Sequence, residues 1–261
     1  TGVEQSLRWY GQQLQQARAA LVVAPETALP LLPAQLPHGY WDALRATFSA
    51  PGRAAIIGVP LGSMALGYTN AAVGLQTGAV DPYRYDKHHL VPFGEFIPPL
   101  FRWFTDLMHI PLGDFNRGPL VQASMNWQGQ RLAPNVCYED LFGEELGARF
   151  IDPQAAPTVM ANISNIGWFG DSIAIDQHLQ ISRMRAIEFE RPMLRATNTG
   201  ATVVIDHHGV VTHALPRLTR GVLSGEFEGR HGLTPYAHWV SRWGLGPLWM
   251  LGMVLAYYDL R

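Results

Sequence analysis

The chain has one cysteine, Cys137, and one lysine, Lys87, in 261 residues. A single cysteine excludes an internal disulfide, so cysteine usage does not fix the compartment. Charge is scarce too. Charged residues make up 15% of the chain and the net charge is −2, which gives no electrostatic footing for nucleic acid. The adjacent pairs His88-His89 and His207-His208 come without HExxH or clustered Cys/His spacing, and sequence neighbours point to different sides of an element. No metal site is expected. The absence of a GxSxG elbow, a P-loop and a GxGxxG run removes the serine-hydrolase and nucleotide-binding readings. No repeat, low-complexity run or linker divides the chain. It begins at Thr1 without a signal-peptide pattern, so it reads as a fragment or processed product.

What is present is apolar. Hydrophobic residues make up 48% of the chain, enough for one large core or two small ones. Residues 6 to 20 show helical spacing through Leu7, Tyr10, Leu14 and Ala17. "LVVAPETALP" and "AAIIGVP" read as buried strands flanking a helix at 40 to 48. "SMALGYTNAAVGLQTGAV" reads as a strand pair or hairpin, and "VQASMNWQGQRLAPNV" as a hairpin turning near Gln128-Gly129. Further on, "GEELGARFI" and "DQHLQISRMRAIEFE" read as helices around the strand "APTVMANIS". Strands then turn at His208-Gly209, and "GVLSGEFE" is expected to end the sheet. This alternation predicts an α/β layered sandwich with mixed sheets. Residues 243 to 258, "WGLGPLWMLGMVLAYY", carry no charge. As a helix they would reach about 24 Å, against the ~30 Å of a hydrocarbon core.

Cys137 sits where an apolar strand ends, and Tyr138, Glu139 and Asp140 follow it. A thiol becomes a nucleophile only as a thiolate, and two adjacent acids have the wrong sign to help. A partner must come from elsewhere. Glu26 and Lys87 both stand at strand ends, and strand ends along one sheet edge can converge on a cleft. A desolvated Glu26 could take the thiol proton, while Lys87 and the Tyr138 N–H could stabilise an oxyanion. Each residue also has a plain reading: a core thiol, a solvated carboxylate, a surface lysine. Arg183, Arg185, Arg191 and Arg195, mixed with Glu188 and Glu190, read as a solvated or salt-bridged helix.

"PETALP", "YDKHHLVPFGEFIP", "NVCYEDLFG" and "NIGWFGDS" with "QHLQISRMRAIEFERPMLRATNTG" together resemble the apolipoprotein N-acyltransferases, a membrane-bound branch of the nitrilase superfamily. The likeness runs from about residue 8 to residue 230. It implies an α-β-β-α sandwich over residues 1–235. It assigns Glu26 as general base, Lys87 as oxyanion stabiliser and Cys137 as nucleophile, with Glu95, Tyr138 and Glu139 in support. No cofactor is implied. The implied partners are a phospholipid acyl donor, a diacylglyceryl-lipoprotein acceptor and the membrane, with the chain a monomer. Trp103, Trp168 and Phe169 are candidate substrate contacts, Trp103 lying in an apolar stretch at 98 to 112. The family's N-terminal transmembrane helices are absent from this chain, and residues 243–258 would begin its C-terminal one. The location implied is the bacterial inner membrane, with the catalytic domain on the periplasmic side. Where many members carry an acid in the "SND" position, this chain has Ile166. Two rival readings use the same residues: a soluble nitrilase-type amidase acting on a small C–N substrate, and a membrane-associated module without chemistry.

Overall fold

Leu7, Gly11 and Leu14 line one face of α1 (Gly2–Gln16) and are buried there. In the computed structural model, which describes residues 2–96 and 115–259, this helix starts and stops four residues earlier than its spacing suggests. Just past its end, Arg53 donates to the Ala17 carbonyl at 2.6 Å. The chain then enters β1 (Leu21–Val23), followed by α2 (Tyr40–Phe48). Three strands complete the first sheet: β2 (Ala54–Ser63), β3 (Gly67–Gln76) and β4 (Tyr83–Asp86). They lie in the order β1-β2-β3-β4, with β1 parallel to β2 and the other pairs antiparallel. The sequence "AAIIGVP" therefore runs on to Ser63 and pairs as a hairpin with β3, its exposed tip at Met64 and Leu66.

The second sheet begins with the hairpin of β5 (Met125–Trp127) and β6 (Gln130–Val136), turning at Gln128-Gly129 as expected. A short helix α3 (Gly143–Gly147) precedes β7 (Val159–Ser164), and α4 (Ala174–Phe189) precedes β8 (Met193–Thr197). The strands β6, β7 and β8 are parallel. Then β9 (Val203–Ile205) and β10 (Val211–Ala214) close the order β10-β9-β8-β7-β6-β5 with antiparallel pairs.

Side chains alternate across these strands, which is what makes layers. On β2, Ala54 and Ile56 face the second sheet and meet Met125, Leu132, Val159 and Ile163. Their neighbours Ala55, Ile57 and Val59 face α1 and α2 through Leu14, Leu44 and Phe48. On the far side, Met160 and Met193 pack on Ile175, Ala186 and Phe189 of α4. Two sheets buried on both faces thus lie between two helical layers, and their strands read as continuous apolar runs.

The segment 221–228 departs from expectation. It forms no strand, and β10 is the edge of its sheet. A strand needs a partner ladder, and none pairs these residues; 221–224 instead line a cavity of about 570 Å³ together with residues of α1 and β1. The C-terminal segment also differs from a single continuous helix. α5 (Pro235–Trp243) is capped by the Thr234 hydroxyl, which accepts from Ala237 N at 3.0 Å, and ends at Gly244 with φ +52°. α6 (Gly246–Asp259) follows, 14 residues with Leu248, Trp249, Met250 and Leu255 exposed. Among the described residues no helix is long and apolar enough to cross a membrane.

Candidate active site

Four strand ends deliver the site. Glu26 follows β1, Lys87 follows β4, Cys137 follows β6 and Asn165 follows β7. The turn at Glu26 passes so close over β2 that a Cβ on Gly58 would meet the Pro25 carbonyl and the Glu26 backbone. Thr27 there adopts φ +54°, a left-handed conformation costly for a β-branched residue. Lys87 is tied by its own backbone: its N–H donates to Asn70 O at 2.8 Å and its carbonyl accepts from Gly118 N at 2.9 Å.

The lysine side chain is 1% exposed and enclosed by carboxylates. Its Nζ lies 2.8 Å from Glu95 Oε2 and 3.5 Å from Glu26 Oε1. Burial alone would lower its pKa, but the Glu26 and Glu95 charges outweigh that and hold it above the ordinary lysine value. Lys87 is a permanent cation here.

Both glutamates are fixed by further donors. Asn70, on β3, gives one amide hydrogen to Glu26 Oε1 and the other to Glu95 Oε1, each at 2.7 Å. The Asn165 N–H donates to Glu26 Oε2 at 2.7 Å, and the Val91 N–H to Glu95 Oε2 at 2.9 Å. Glu26, Lys87 and Glu95 therefore form one hydrogen-bonded unit.

Cys137 turns out of β6 with φ +56°, the left-handed region again. Burial pushes its thiol up to about 12, with the Glu26 charge adding to the rise and Lys87 opposing it. The Asn165 backbone amide pulls weakly the other way. The thiol thus feels both members of the glutamate–lysine pair, and it carries its proton at neutral pH. Attack from it needs a base.

The two acids after Cys137 are structural anchors. Glu139 is 3% exposed and accepts four hydrogen bonds: from His88 N (2.6 Å), His89 N (3.1 Å), Val136 N (2.6 Å) and the Tyr85 hydroxyl (2.8 Å). It joins the residues just after Lys87 to the residue just before Cys137. Burial pushes its pKa above the ordinary value while those donors pull it back. Asp140, fully buried, takes His178 Nε2 at 2.9 Å, Ser182 Oγ at 2.5 Å and Arg195 Nη1 at 3.3 Å. Tyr138 turns outward into a ring cluster with His89 and Phe142.

Trp168 and Phe169 belong to the turn Gly167–Phe169, next to Asn165, and Phe169 is 63% exposed. Trp103 and the stretch 98 to 112 lie outside the described residues. Ile166 is buried in the core with Ile175 and Ala201, so an apolar side chain here has packing to satisfy and no polar partner. The arginines correct the solvated-helix expectation. Arg185 pairs with Glu188 on α4, but Arg191 and Arg195 are buried beyond its end, bonding Pro157 O and Asp140 respectively. His88 and His89 turn to different partners, the Gly118 carbonyl and Glu145, while the rings of His207 and His208 lie 3.9 Å apart. Among the described residues no three His, Cys, Asp or Glu side chains gather as a metal-holding group. The 570 Å³ cavity is lined by neither Glu26, Lys87 nor Cys137, so the converging charged groups, and not its volume, locate the site.

Residues 2–236 match the carbon–nitrogen hydrolase family. The chain belongs to that family. It is 66% identical over 254 residues to an apolipoprotein N-acyltransferase of Verminephrobacter eiseniae, covering 94% of this chain and 47% of that protein. Against the apolipoprotein N-acyltransferase of Ralstonia nicotianae it is 50% identical over 236 residues, covering 90% and 45%. The chain spans about half the length of these curated relatives. Solved structures agree on the fold. A CN-hydrolase superfamily protein from Xanthomonas campestris superposes with a TM-score of 0.64 at 20% identity, covering 85% of this chain and 84% of that one. A carbon–nitrogen hydrolase from Helicobacter pylori gives 0.63 at 18%, covering 98% and 93%.

Proposed function

We propose that this chain is the catalytic part of an apolipoprotein N-acyltransferase. In the first half-reaction Glu26 takes the Cys137 proton as the sulfur attacks the ester carbonyl of a phospholipid acyl chain. The tetrahedral oxyanion is met by the Lys87 ammonium and the Tyr138 N–H. Collapse breaks the C–O bond, and Glu26 returns the proton to the departing lysophospholipid. In the second half, the α-amino group of a diacylglyceryl-cysteine attacks the thioester, Glu26 accepts its proton, and the thiol is restored. Glu95 holds Lys87 in line and shares its charge.

What supports this reading is the buried Lys87–Glu26–Glu95 unit, held at 2.8 to 3.5 Å, whose charges reach a thiol that burial pushes up to about 12. Such a thiol is inert alone and becomes a strong nucleophile when a carboxylate removes its proton in the attack itself. The identities of 66% and 50% to N-acyltransferases favour acyl transfer over hydrolysis of a small amide. The exposed apolar side chains of α6 are suited to lipid contact, which supports work at a membrane surface. The test is a two-substrate assay of the protein on phospholipid vesicles with a diacylglyceryl peptide, beside small aliphatic amides. Acyl-peptide formation with little amide hydrolysis is expected; hydrolysis of amides without acyl transfer would overturn the reading.

A further inference from the structure

The peptide group between Cys137 and Tyr138 is held from behind by two side chains that the chemistry above does not use. The Cys137 carbonyl accepts from Asn162 Nδ2 at 3.0 Å and from His178 Nε2 at 3.1 Å. Both donors are themselves locked. Arg195 Nη2 donates to His178 Nδ1 at 2.8 Å, and a guanidinium can only donate, so Nδ1 is the lone-pair nitrogen and Nε2 carries the hydrogen. That hydrogen is shared between the Cys137 carbonyl and Asp140 Oδ1. Asn162 cannot turn over either: its oxygen accepts from Ser164 Oγ at 2.6 Å and Arg195 Nη1 at 3.3 Å, and its nitrogen donates to Asn135 Oδ1 at 2.6 Å.

A trans peptide is planar, with its C=O and N–H pointing in opposite directions. No cis peptide occurs among the described residues. Two donors that draw the Cys137 carbonyl into the buried network therefore turn the Tyr138 N–H the other way, out of it. The same bonds hold Cys137 at φ +56°, a strained conformation that persists only where its surroundings impose it. We infer that His178 and Asn162 are positioning residues, which aim the Tyr138 amide at the oxyanion through the carbonyl on its other side. A buried Arg–Asp–His cluster is a poor source of net stability, because its desolvation offsets its attraction. Orientation of one peptide group gives it a use. The inference rests on the proposal that Cys137 is acylated.

Two reactions at the same sulfur separate these roles. Alkylation by iodoacetamide forms no oxyanion, whereas acylation by a short-chain p-nitrophenyl ester does, and its p-nitrophenolate burst gives the rate. His178→Ala in the full protein should slow the burst roughly ten- to a hundredfold while alkylation changes less than about twofold. His178→Gln, which keeps one donor and one acceptor, should recover most of the burst. Equal burst rates in His178→Ala and the unsubstituted protein would overturn the inference and leave the acyl-transfer reading intact. Loss of both reactions together would also overturn it, since His178 would then merely seat the thiol. No burst in the unsubstituted protein would instead remove the acyl-transfer reading itself. Where His178→Ala does not fold, Asn162→Ala removes the other donor and is decided by the same two rates.

Discussion

Lys87 is nearer to Glu95 than to Glu26, 2.8 Å against 3.5 Å. The tighter pair leaves Glu26 less committed to the cation and freer to handle a proton. Glu95→Gln removes one of the two negative charges facing a buried ammonium, so Lys87 should shift its attraction to Glu26. The expected result is a kcat lowered by roughly tenfold or more with an unchanged fold, read from turnover and circular dichroism together. Full activity would take Glu95 out of the site.

Lys87 should matter for the transition state more than for binding, because the oxyanion exists only there. Lys87→Ala is expected to lower kcat on the order of a hundredfold with little change in KM. Lys87→Arg should not rescue it, since a planar guanidinium does not fit between Glu26, Glu95 and an oxyanion as a compact ammonium does. A variant that only raises KM would make Lys87 a binder of anionic headgroups.

The raised thiol pKa gives a pH prediction with a definite sign. An unfolded cysteine ionises near its ordinary value of 9.0, the folded Cys137 near 12. Below 9 both states hold the proton and stability is unaffected; as pH rises from 9 toward 12 only the unfolded state releases it, so stability falls. Cys137→Ala should flatten that alkaline loss, measured by urea midpoints between pH 8 and 10.5. Alkylation of Cys137 should climb through the same interval without levelling off. Levelling off near pH 10 would show an ordinary thiol, and a plateau near pH 8 an activated one.

Glu139 is expected to be structural. It accepts four donors, three of them backbone N–H groups, and Gln would offer one oxygen and push two hydrogens at them. Glu139→Gln should destabilise the protein by about 3 kcal/mol or more, seen as a lowered melting temperature before any loss of activity is considered. A melting temperature equal to that of the unsubstituted protein would contradict this.

The helix α6 has no buried residue, so its apolar side chains contribute nothing to the core. Replacing Leu248, Trp249 and Leu255 with serine should leave the melting temperature unchanged and reduce co-sedimentation with phospholipid vesicles. A melting transition lowered by these substitutions would make the helix part of the fold's stability.

Much of the fold was legible because its strands are apolar runs closed by turn residues, and the turns at Gln128-Gly129 and at Gly209 stand where the sequence puts them. Glu26, Lys87 and Cys137 were legible as strand-end residues of the right chemistry. Their convergence was not, because it is made by residues with no local signature. Asn70 sits within an apolar strand and reaches glutamates 44 and 25 positions away. Its one signal is a polar side chain inside the buried run "TNAAV". The Asp140–His178–Arg195 cluster spans three elements, and the arginine's place in a helical-looking charge pattern concealed its burial. Segment 221–228 has a strand's alternation, but a strand forms only against a partner ladder, and no local pattern encodes whether one is within reach.

The central claim is that Cys137 carries the acyl group. Intact-protein mass spectrometry after incubation with phospholipid vesicles of one acyl composition, without acceptor, tests it most directly. The account predicts a mass increase of one acyl chain, located on the Cys137 peptide, reversed by hydroxylamine and by a diacylglyceryl peptide, and absent in Cys137→Ala. An acyl-peptide product formed equally well by Cys137→Ala, with no adduct on the protein, would contradict it.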